Sequence, residues 1–247
     1  NLIVVRDFTV PANELMRVLA PGGTLAVMQP KLMKRTELEA VGFGSIRARE
    51  GRLVARKPWP VQMDVWSHPR HAANGNAVSG DTMVGPPERI RWIAAATSEV
   101  EGLVTAGGRN FYGGVLARDS FNGLRLWHRD LGKAGEVDSQ LANLPRLSRD
   151  GARPIASESL LFAVMNDRPV ALNPETGAVA VEYGDMVQPT TLIHLGNRVI
   201  AADAESVRAF DAQQGDELWR VAVSDSRNVV ATDQYVALLQ GQVRRGD

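Results

Sequence analysis

Asp119-Ser120-Phe121-Asn122-Gly123-Leu124-Arg125-Leu126-Trp127 is matched further along the chain by Asn173-Pro174-Glu175-Thr176-Gly177-Ala178-Val179-Ala180-Val181 and again by Asp211-Ala212-Gln213-Gln214-Gly215-Asp216-Glu217-Leu218-Trp219. Each copy follows a short apolar run and sets Asp or Asn, then Gly four residues on, then Trp or Val four residues after that. An Asp or Asn at a strand end bonds back onto the amides of a turn, and Gly supplies the left-handed conformation that the turn needs. Repetition of this kind marks one supersecondary unit copied along the chain.

Working outward from these landmarks, turn signals and apolar runs predict short strands in sets of four. Residues 102–106, 110–113, 115–118 and 125–128 form one set; 154–157, 160–165, 169–172 and 178–181 the next; 190–194, 198–202, 206–210 and 217–221 a third; 228–231 and 235–239 open a fourth. The repeated glycines are 54 and then 38 residues apart, and the longer interval matches an additional polar loop over 133–150. Four-stranded meanders at this spacing are the signature of propeller blades. A single blade buries part of its faces, and stacking blades buries the rest. Trp127 and Trp219 fall on the last strand of their units, where a flat ring covers the gap between neighbouring sheets. The second unit carries Val181 there, so a weaker contact is expected.

Leu126-Trp127-His128 and Leu218-Trp219-Arg220, with Asn173 to Gly177 between them, together with Trp66, the run 81–87 and Arg91-Trp92, resemble pyrroloquinoline-quinone-like repeats over residues 64–241. Such repeats occur in quinoprotein dehydrogenases, in propeller components of outer-membrane assembly machinery and in many uncharacterised bacterial proteins. The resemblance implies a mainly β fold, a partial β-propeller of four-stranded blades, with a protein or small-molecule ligand at a propeller face. It does not by itself imply that the quinone binds. The adjacent cysteine pair of many alcohol-oxidising quinoproteins has no counterpart in a chain without cysteine, and no Asp with a nearby Glu and Asn matches their calcium and catalytic constellation. Pyrroloquinoline quinone and calcium are therefore not expected, and Asp119, Asp203 and Asp211 are read as turn formers.

The first 58 residues have another texture. Residues 2–5 predict a buried strand, 13–19 a short helix, 24–28 a second strand, 35–41 a second helix, and 43–49 with 52–57 a hairpin around Glu50-Gly51. The stretch Arg17 to Leu25 with its Pro21-Gly22-Gly23, followed by Glu39-Ala40-Val41-Gly42-Phe43 and Leu53-Val54-Ala55-Arg56-Lys57-Pro58, resembles the C-terminal third of a class I S-adenosylmethionine-dependent methyltransferase. In that family the chain ends in an antiparallel hairpin added to a doubly wound parallel sheet. The resemblance places the glycine-rich loop and the acidic ribose-binding residue ahead of Asn1, and the chain is read as a fragment that is itself inactive. Asp7, just after the first strand, is the position here that borders a cofactor or substrate pocket; its competing role is a strand-end or helix-cap carboxylate.

The division expected is thus 1–58 as a methyltransferase-like segment, 59–92 as a linker or arm, and 93–247 as incomplete propeller blades. Trp59, Trp66 and Trp92 bracket the arm, and rings in a long loop pin it to a neighbouring surface. His68 and His71 invite a metal reading, but Pro69 between them disfavours a helix and no Cys or carboxylate completes a ligand set, so no metal is expected. The 28 basic and 28 acidic side chains balance, which excludes the basic footprint of a nucleic-acid binder. Residues 1–60 carry ten Lys or Arg against five Asp or Glu, the remainder 18 against 23. No apolar run is long enough to span a membrane. Three functions follow: a binding or scaffold propeller beside a methyltransferase-like domain, an oxidoreductase using pyrroloquinoline quinone, and an active S-adenosylmethionine-dependent transferase. Quinoprotein-like propellers are commonly exported, which points to an extracytoplasmic bacterial setting.

Overall fold

Alternating apolar residues in the second half of the chain build strands whose two faces are both buried, and that alternation sets the architecture. The computed structural model describes residues 1–7, 10–86, 88, 90–93, 103–113, 116–129, 152–165, 168–224 and 226–240. The loop expected over 133–150 and the C-terminal 242–247 lie outside these residues. The chain forms two compact units, one of Asn1–Asp64 with Gly80–Gly85, the other of Val65–Ser79 with Pro86–Asp247.

In the first unit, β1 (Leu2–Val5) leads through α1 (Ala12–Val18) to β2 (Thr24–Val27), which pairs parallel to it. A single 3-10 turn at Pro30–Leu32 and α2 (Arg35–Ala40) precede the hairpin of β3 (Gly44–Arg49) and β4 (Arg52–Arg56). The sheet order is β1-β2-β4-β3, so the hairpin adds its second strand antiparallel to β2. Gly42, at φ 93°, ends the second helix and turns Phe43 into the core. Ile3, Val5, Leu25, Val27, Ile46, Leu53 and Ala55 point to the helix side, where Leu15, Leu19 and Leu38 cover them. At the C-terminal end of α1 the Lys57 ammonium donates to the carbonyls of Met16 and Leu19, satisfying acceptors that the helix leaves open.

Among its described residues the second unit holds three four-stranded antiparallel meanders and a hairpin. Blade 1 is β5 (Val104–Ala106), β6 (Arg109–Tyr112), β7 (Leu116–Asp119) and β8 (Arg125–His128). Blade 2 is β9 (Ile155–Ala156), β10 (Leu161–Met165), β11 (Arg168–Leu172) and β12 (Val179–Glu182). Blade 3 is β13 (Thr191–Leu195), β14 (Arg198–Ala202), β15 (Ser206–Asp211) and β16 (Glu217–Ala222), and β17 (Ser226–Ala231) with β18 (Val236–Gln240) makes the hairpin. These bounds fall within about two residues of the strands the sequence predicts, a normal margin at strand ends.

Neighbouring residues on a strand serve different cores, because successive side chains alternate across the sheet. On β10 and β11, Leu161, Val170 and Leu172 pack with Val104, Phe111 and Trp127 of blade 1, while Phe162 and Ala171 pack with Leu192, Val199 and Phe210 of blade 3. On β14, Val199 and Ala201 serve that second core, whereas Ile200 and Ala202 join Val229 and Ala231 of the hairpin. A strand buried on both faces reads as a continuous apolar run, as Leu161-Phe162-Ala163 does. The first strands lie side by side, β5 by β9, β9 by β13 and β13 by β17. The last strands β8, β12 and β16 are largely exposed.

Candidate functional site

The repeat landmarks form three near-superimposable turns. Asp119 Oδ1 accepts from the amides of Phe121 and Asn122 at 2.8 and 3.0 Å, Asn173 Oδ1 from Glu175 and Thr176 at 2.8 and 3.1 Å, and Asp211 Oδ1 from Gln213 and Gln214 at 2.8 Å each. In each turn the glycine amide donates back to the carbonyl of the Asp or Asn, at 2.9, 2.8 and 3.0 Å. The glycines Gly123, Gly177 and Gly215 hold φ at 73°, 72° and 83°, a region that side chains with a Cβ disfavour. Asn suffices at position 173 because only the carbonyl oxygen of the side chain is used.

Each turn is covered by a residue from an earlier part of the chain, from the last strand of the preceding blade at the second and third turns. Trp92 lies over Gly123, where a Cβ would sit 2.5 Å from the ring, and its indole N–H donates to the Ser120 carbonyl at 3.1 Å. Trp127 lies over Gly177, where a Cβ would sit 2.8 Å from the ring, and donates to the Pro174 carbonyl at 3.0 Å. At the third turn, Val181 covers Gly215, and the Tyr183 hydroxyl donates to the Ala212 carbonyl at 2.7 Å. The acceptor is the same turn position in all three cases. The weaker contact expected at Val181 is thus supplemented by an aromatic hydroxyl two residues on, facing the same way. Burial pushes the Tyr183 phenol far above its ordinary value, with the Asp211 charge adding to the rise, so it remains a donor. Trp219 is half-buried and packs on the core shared by blade 3 and the hairpin. Ion pairs and charged donors reinforce the first junction: Arg109 meets Glu175 at 2.9 Å, and the Arg129 guanidinium donates to the Gly177 carbonyl.

The stretch from Trp66 to Ala73 touches the first strand of every blade. The Thr105 amide of β5 donates to the Trp66 carbonyl at 2.8 Å, and the Ala156 amide of β9 to the Ser67 carbonyl at 2.9 Å. The His194 amide of β13 donates to His68 Nε2 at 3.1 Å, and the Ala231 amide of β17 to the Ala73 carbonyl at 3.0 Å. Because Nε2 accepts, the proton of neutral His68 belongs on Nδ1, which meets Ser67 Oγ at 2.8 Å; that hydroxyl in turn donates to the His71 carbonyl at 3.3 Å. Burial, and then the neighbouring His194 and His71, push the His68 imidazole down to about 4. The His194 ring stacks on Phe162 with centroids 4.8 Å apart, and burial lowers its pKa as well. His68 and His71 face each other through paired main-chain bonds, and among the described residues no three His, Cys, Asp or Glu gather into a metal-binding group.

Asp203 is the most deeply buried carboxylate among the described residues; Oδ1 serves its own turn and Oδ2 accepts from the Val187 amide. Burial alone would raise its pKa, but bonds from the amides of Glu205, Val187 and Ser206 and from the Ser206 hydroxyl hold it below the usual range. In the first unit, Asp7 is exposed just past β1. Beside it, at the carboxyl ends of the parallel pair, Gln29 Nε2 donates to the Arg6 carbonyl at 3.0 Å.

The sequence signalled the turns and the two tryptophans, but it gave no sign of the arm's acceptors, three of which are main-chain carbonyls that any residue supplies and the fourth the His68 ring. Tyr183 was legible in principle, since it shares strand parity with Val181.

The family model described as outer membrane protein assembly factor BamB matches residues 112–244. Among solved structures, BamB from Moraxella catarrhalis is 16% identical with a TM-score of 0.39, covering 62% of this chain and 48% of that one. Quinohemoprotein alcohol dehydrogenase from Comamonas testosteroni is also 16% identical, with a TM-score of 0.42, covering 66% of this chain and 28% of that one. The computationally designed Ika8 protein is 15% identical with a TM-score of 0.39, covering 60% and 42%. The chain spans less than half the length of each of these three structures. No curated protein matches.

Proposed function

We propose, from the premise that this chain belongs to the repeat family described as outer membrane protein assembly factor BamB, that its blades form a protein-binding scaffold working outside the bacterial cytoplasm. The observation that carries this reading is the arm. Amides of all four first strands, which would otherwise be open to a ligand at the middle of the blades, bond to Trp66, Ser67, His68 and Ala73 of the chain itself. Recognition then falls to loops at the blade ends and to the exposed outer strands, which vary without disturbing the packed cores. Such surfaces suit a macromolecular partner better than a small molecule. The test is to delete the gene in its own bacterium and quantify folded outer-membrane proteins. Their amount falls, the intact protein restores it, and Trp127→Ala, which breaks a blade junction, does not; unchanged amounts on deletion refute the reading.

Pyrroloquinoline quinone does not suit the residues at the first strands, because the groups that would meet it are bonded to the arm, and Asp203, the one buried carboxylate among the described residues, has both oxygens engaged by main-chain amides. Added quinone and calcium should leave the melting temperature of the full chain unchanged.

A second reading concerns the first unit, as the C-terminal part of a domain resembling S-adenosylmethionine-dependent methyltransferases. The order β1-β2-β4-β3, a parallel pair extended by an antiparallel hairpin, supports it. Ligands of open α/β sheets bind beyond the carboxyl ends of the parallel strands, where Asp7 stands. S-adenosylmethionine would meet Asp7 there and would supply an activated methyl group. Chemical-shift changes at Asp7 and Gln29 on adding S-adenosylmethionine would support a residual site; changes elsewhere alone would count against Asp7.

A further inference from the structure

We propose that Asn74 of the arm is a self-modifying site: its side chain closes on the Gly75 nitrogen and converts to isoaspartate, which loosens the arm's hold on β17. The chain carries two Asn-Gly pairs, Asn74-Gly75 in the arm and Asn122-Gly123 in the first repeat turn. Glycine has no side chain to shield its nitrogen or to crowd the ring that forms. Asn74 is exposed, and its Oδ1 accepts from the Asn76 amide at 3.0 Å. An Asx turn of this kind folds the side-chain amide back along the Gly75 peptide. The Asn76 N–H also polarises the Asn74 side-chain carbonyl and stabilises the oxyanion that forms when its carbon is attacked.

The step needs only water. The Gly75 amide gives its proton to solvent base, its nitrogen bonds to Asn74 Cγ, and the bond from Cγ to Nδ2 breaks, so that the side-chain nitrogen leaves as ammonia with a proton from water. A five-membered imide remains. Water then opens it at one of two bonds: cleavage between Cγ and the nitrogen gives aspartate, and cleavage between the main-chain carbonyl carbon and the nitrogen gives isoaspartate. Either product adds one negative charge to a chain whose formal charge is zero. In isoaspartate the main chain runs through the former side chain and is one methylene longer, and the former main-chain carbonyl carbon becomes the free carboxylate.

Asn122 is the internal control. It is likewise exposed, and the Leu124 amide donates to its Oδ1 at 2.8 Å. Both glycine amides donate to an earlier carbonyl, Gly75 to Ala72 at 3.0 Å and Gly123 to Asp119 at 2.9 Å. The Asn122 amide, however, is clamped to Asp119 Oδ1 at 3.0 Å, and the Trp92 ring closes over Gly123. Among the described residues no group accepts from the Asn74 amide, and a Cβ on Gly75 would meet one side-chain atom, Val230 Cγ1 at 3.1 Å. Turning the peptide to close the imide therefore costs less at Gly75. An added methylene also matters at this place. Ala73, one residue before, is buried, and its carbonyl holds the Ala231 amide of β17 at 3.0 Å. Aspartate at position 74 keeps the acceptor for Asn76, whereas isoaspartate displaces Gly75 and the turn that closes on Ala72.

The proposal is independent of the blades' function and is tested on the full chain. The protein is incubated in mildly alkaline buffer made with heavy-oxygen water, then mapped by peptide mass and by electron-transfer fragmentation, which separates isoaspartate from aspartate. Isoaspartate carrying one heavy oxygen should accumulate at Asn74 about tenfold or more faster than at Asn122, the rate equivalent of about one net hydrogen bond. In the isoaspartate fraction, hydrogen exchange of the Ala231 amide should quicken at least about tenfold. The Asn74→Asp variant, which keeps the acceptor, should exchange there like fresh protein, and Asn74→Gln, whose longer side chain disfavours the ring, should stay unmodified. Absence of isoaspartate at Asn74, equal or faster conversion at Asn122, Ala231 exchange that isoaspartate leaves unchanged, or equal loosening by Asn74→Asp each overturns the proposal.

Discussion

At the junction of blades 1 and 2 one side chain, Trp127, both covers the turn glycine and donates to the turn carbonyl, whereas at the junction of blades 2 and 3 the two tasks are divided between Val181 and Tyr183. The acceptor sits at the same position of the turn, Pro174 in one case and Ala212 in the other, and the glycine keeps a positive φ in both. What the blades require is therefore a covered glycine and a donor to that carbonyl, not an indole as such. Tyr183 also rests against Phe210, with centroids 5.5 Å apart, much as Trp127 rests against Phe111 at 6.2 Å.

Removing the whole ring at the first junction tests the comparison most severely. Trp127→Ala should destabilise the protein by about 3–5 kcal/mol in a denaturant melt, since it loses packing, leaves a cavity and orphans the Pro174 carbonyl. A loss below about 1 kcal/mol would show that the ring does not hold the junction.

Acid should act next most strongly, at the arm rather than at the junctions. His68 titrates near 4 in the fold against an ordinary 6.5, so between those values the unfolded chain binds a proton that the folded chain refuses. Stability is then full above about pH 6.5 and declines as pH falls toward 4, by about 3 kcal/mol at most for this group. Melting temperature measured across pH 4–7 should fall on the acid side, and His68→Gln, which keeps an acceptor for the His194 amide, should flatten that slope. An unchanged slope would remove His68 from the account.

Glycine replacements sharpen the comparison further. Gly123→Ala adds a Cβ into the Trp92 ring at a positive φ, while Gly196→Ala adds one at φ 59° with nothing within 4 Å. The second should cost about 1 kcal/mol from backbone strain alone, and the first about 2–3 kcal/mol through strain plus the clash. Equal losses would mean that the ring shifts freely and is not a fixed cover.

The smallest effect is the most discriminating. Trp127→Phe and Tyr183→Phe each delete one hydrogen bond to an equivalent carbonyl and leave a ring behind, so each should cost about 1–2 kcal/mol. A neutral Tyr183→Phe beside a costly Trp127→Phe would break the equivalence of the two junctions.

The blades were legible because three local devices repeat: the Asp or Asn acceptor, the glycine and the following strand. Strands buried on both faces, such as β10 and β14, showed as apolar runs flanked by turn residues. The division of labour at Val181 was not legible from the landmark alone, because the compensating group lies outside the repeated positions. Nor was the arm's role, since its Trp, Pro, Gly and His carry no period and its bonds run mainly through carbonyls. The sheet of the first unit was legible in full, strand by strand, yet the shared face of Arg47, Arg49, Arg52 and Arg56 emerged only with the register, which a bulge between Gly44 and Arg47 resets.

The stretch from Trp66 to Ala73 leaves the ribosome before any blade does, and its partners Thr105, Ala156, His194 and Ala231 follow in order along the chain. Each new meander thus finds a waiting edge on which to settle, as rungs are fitted one after another to a spindle. The last bond joins Ala73 to Ala231, and at about 5–20 residues per second it waits on the order of ten to thirty seconds after its acceptor is made. During that interval the spindle keeps vacant places for blades still to come, and nascent first strands have a partner within their own chain before a neighbouring polypeptide can offer one.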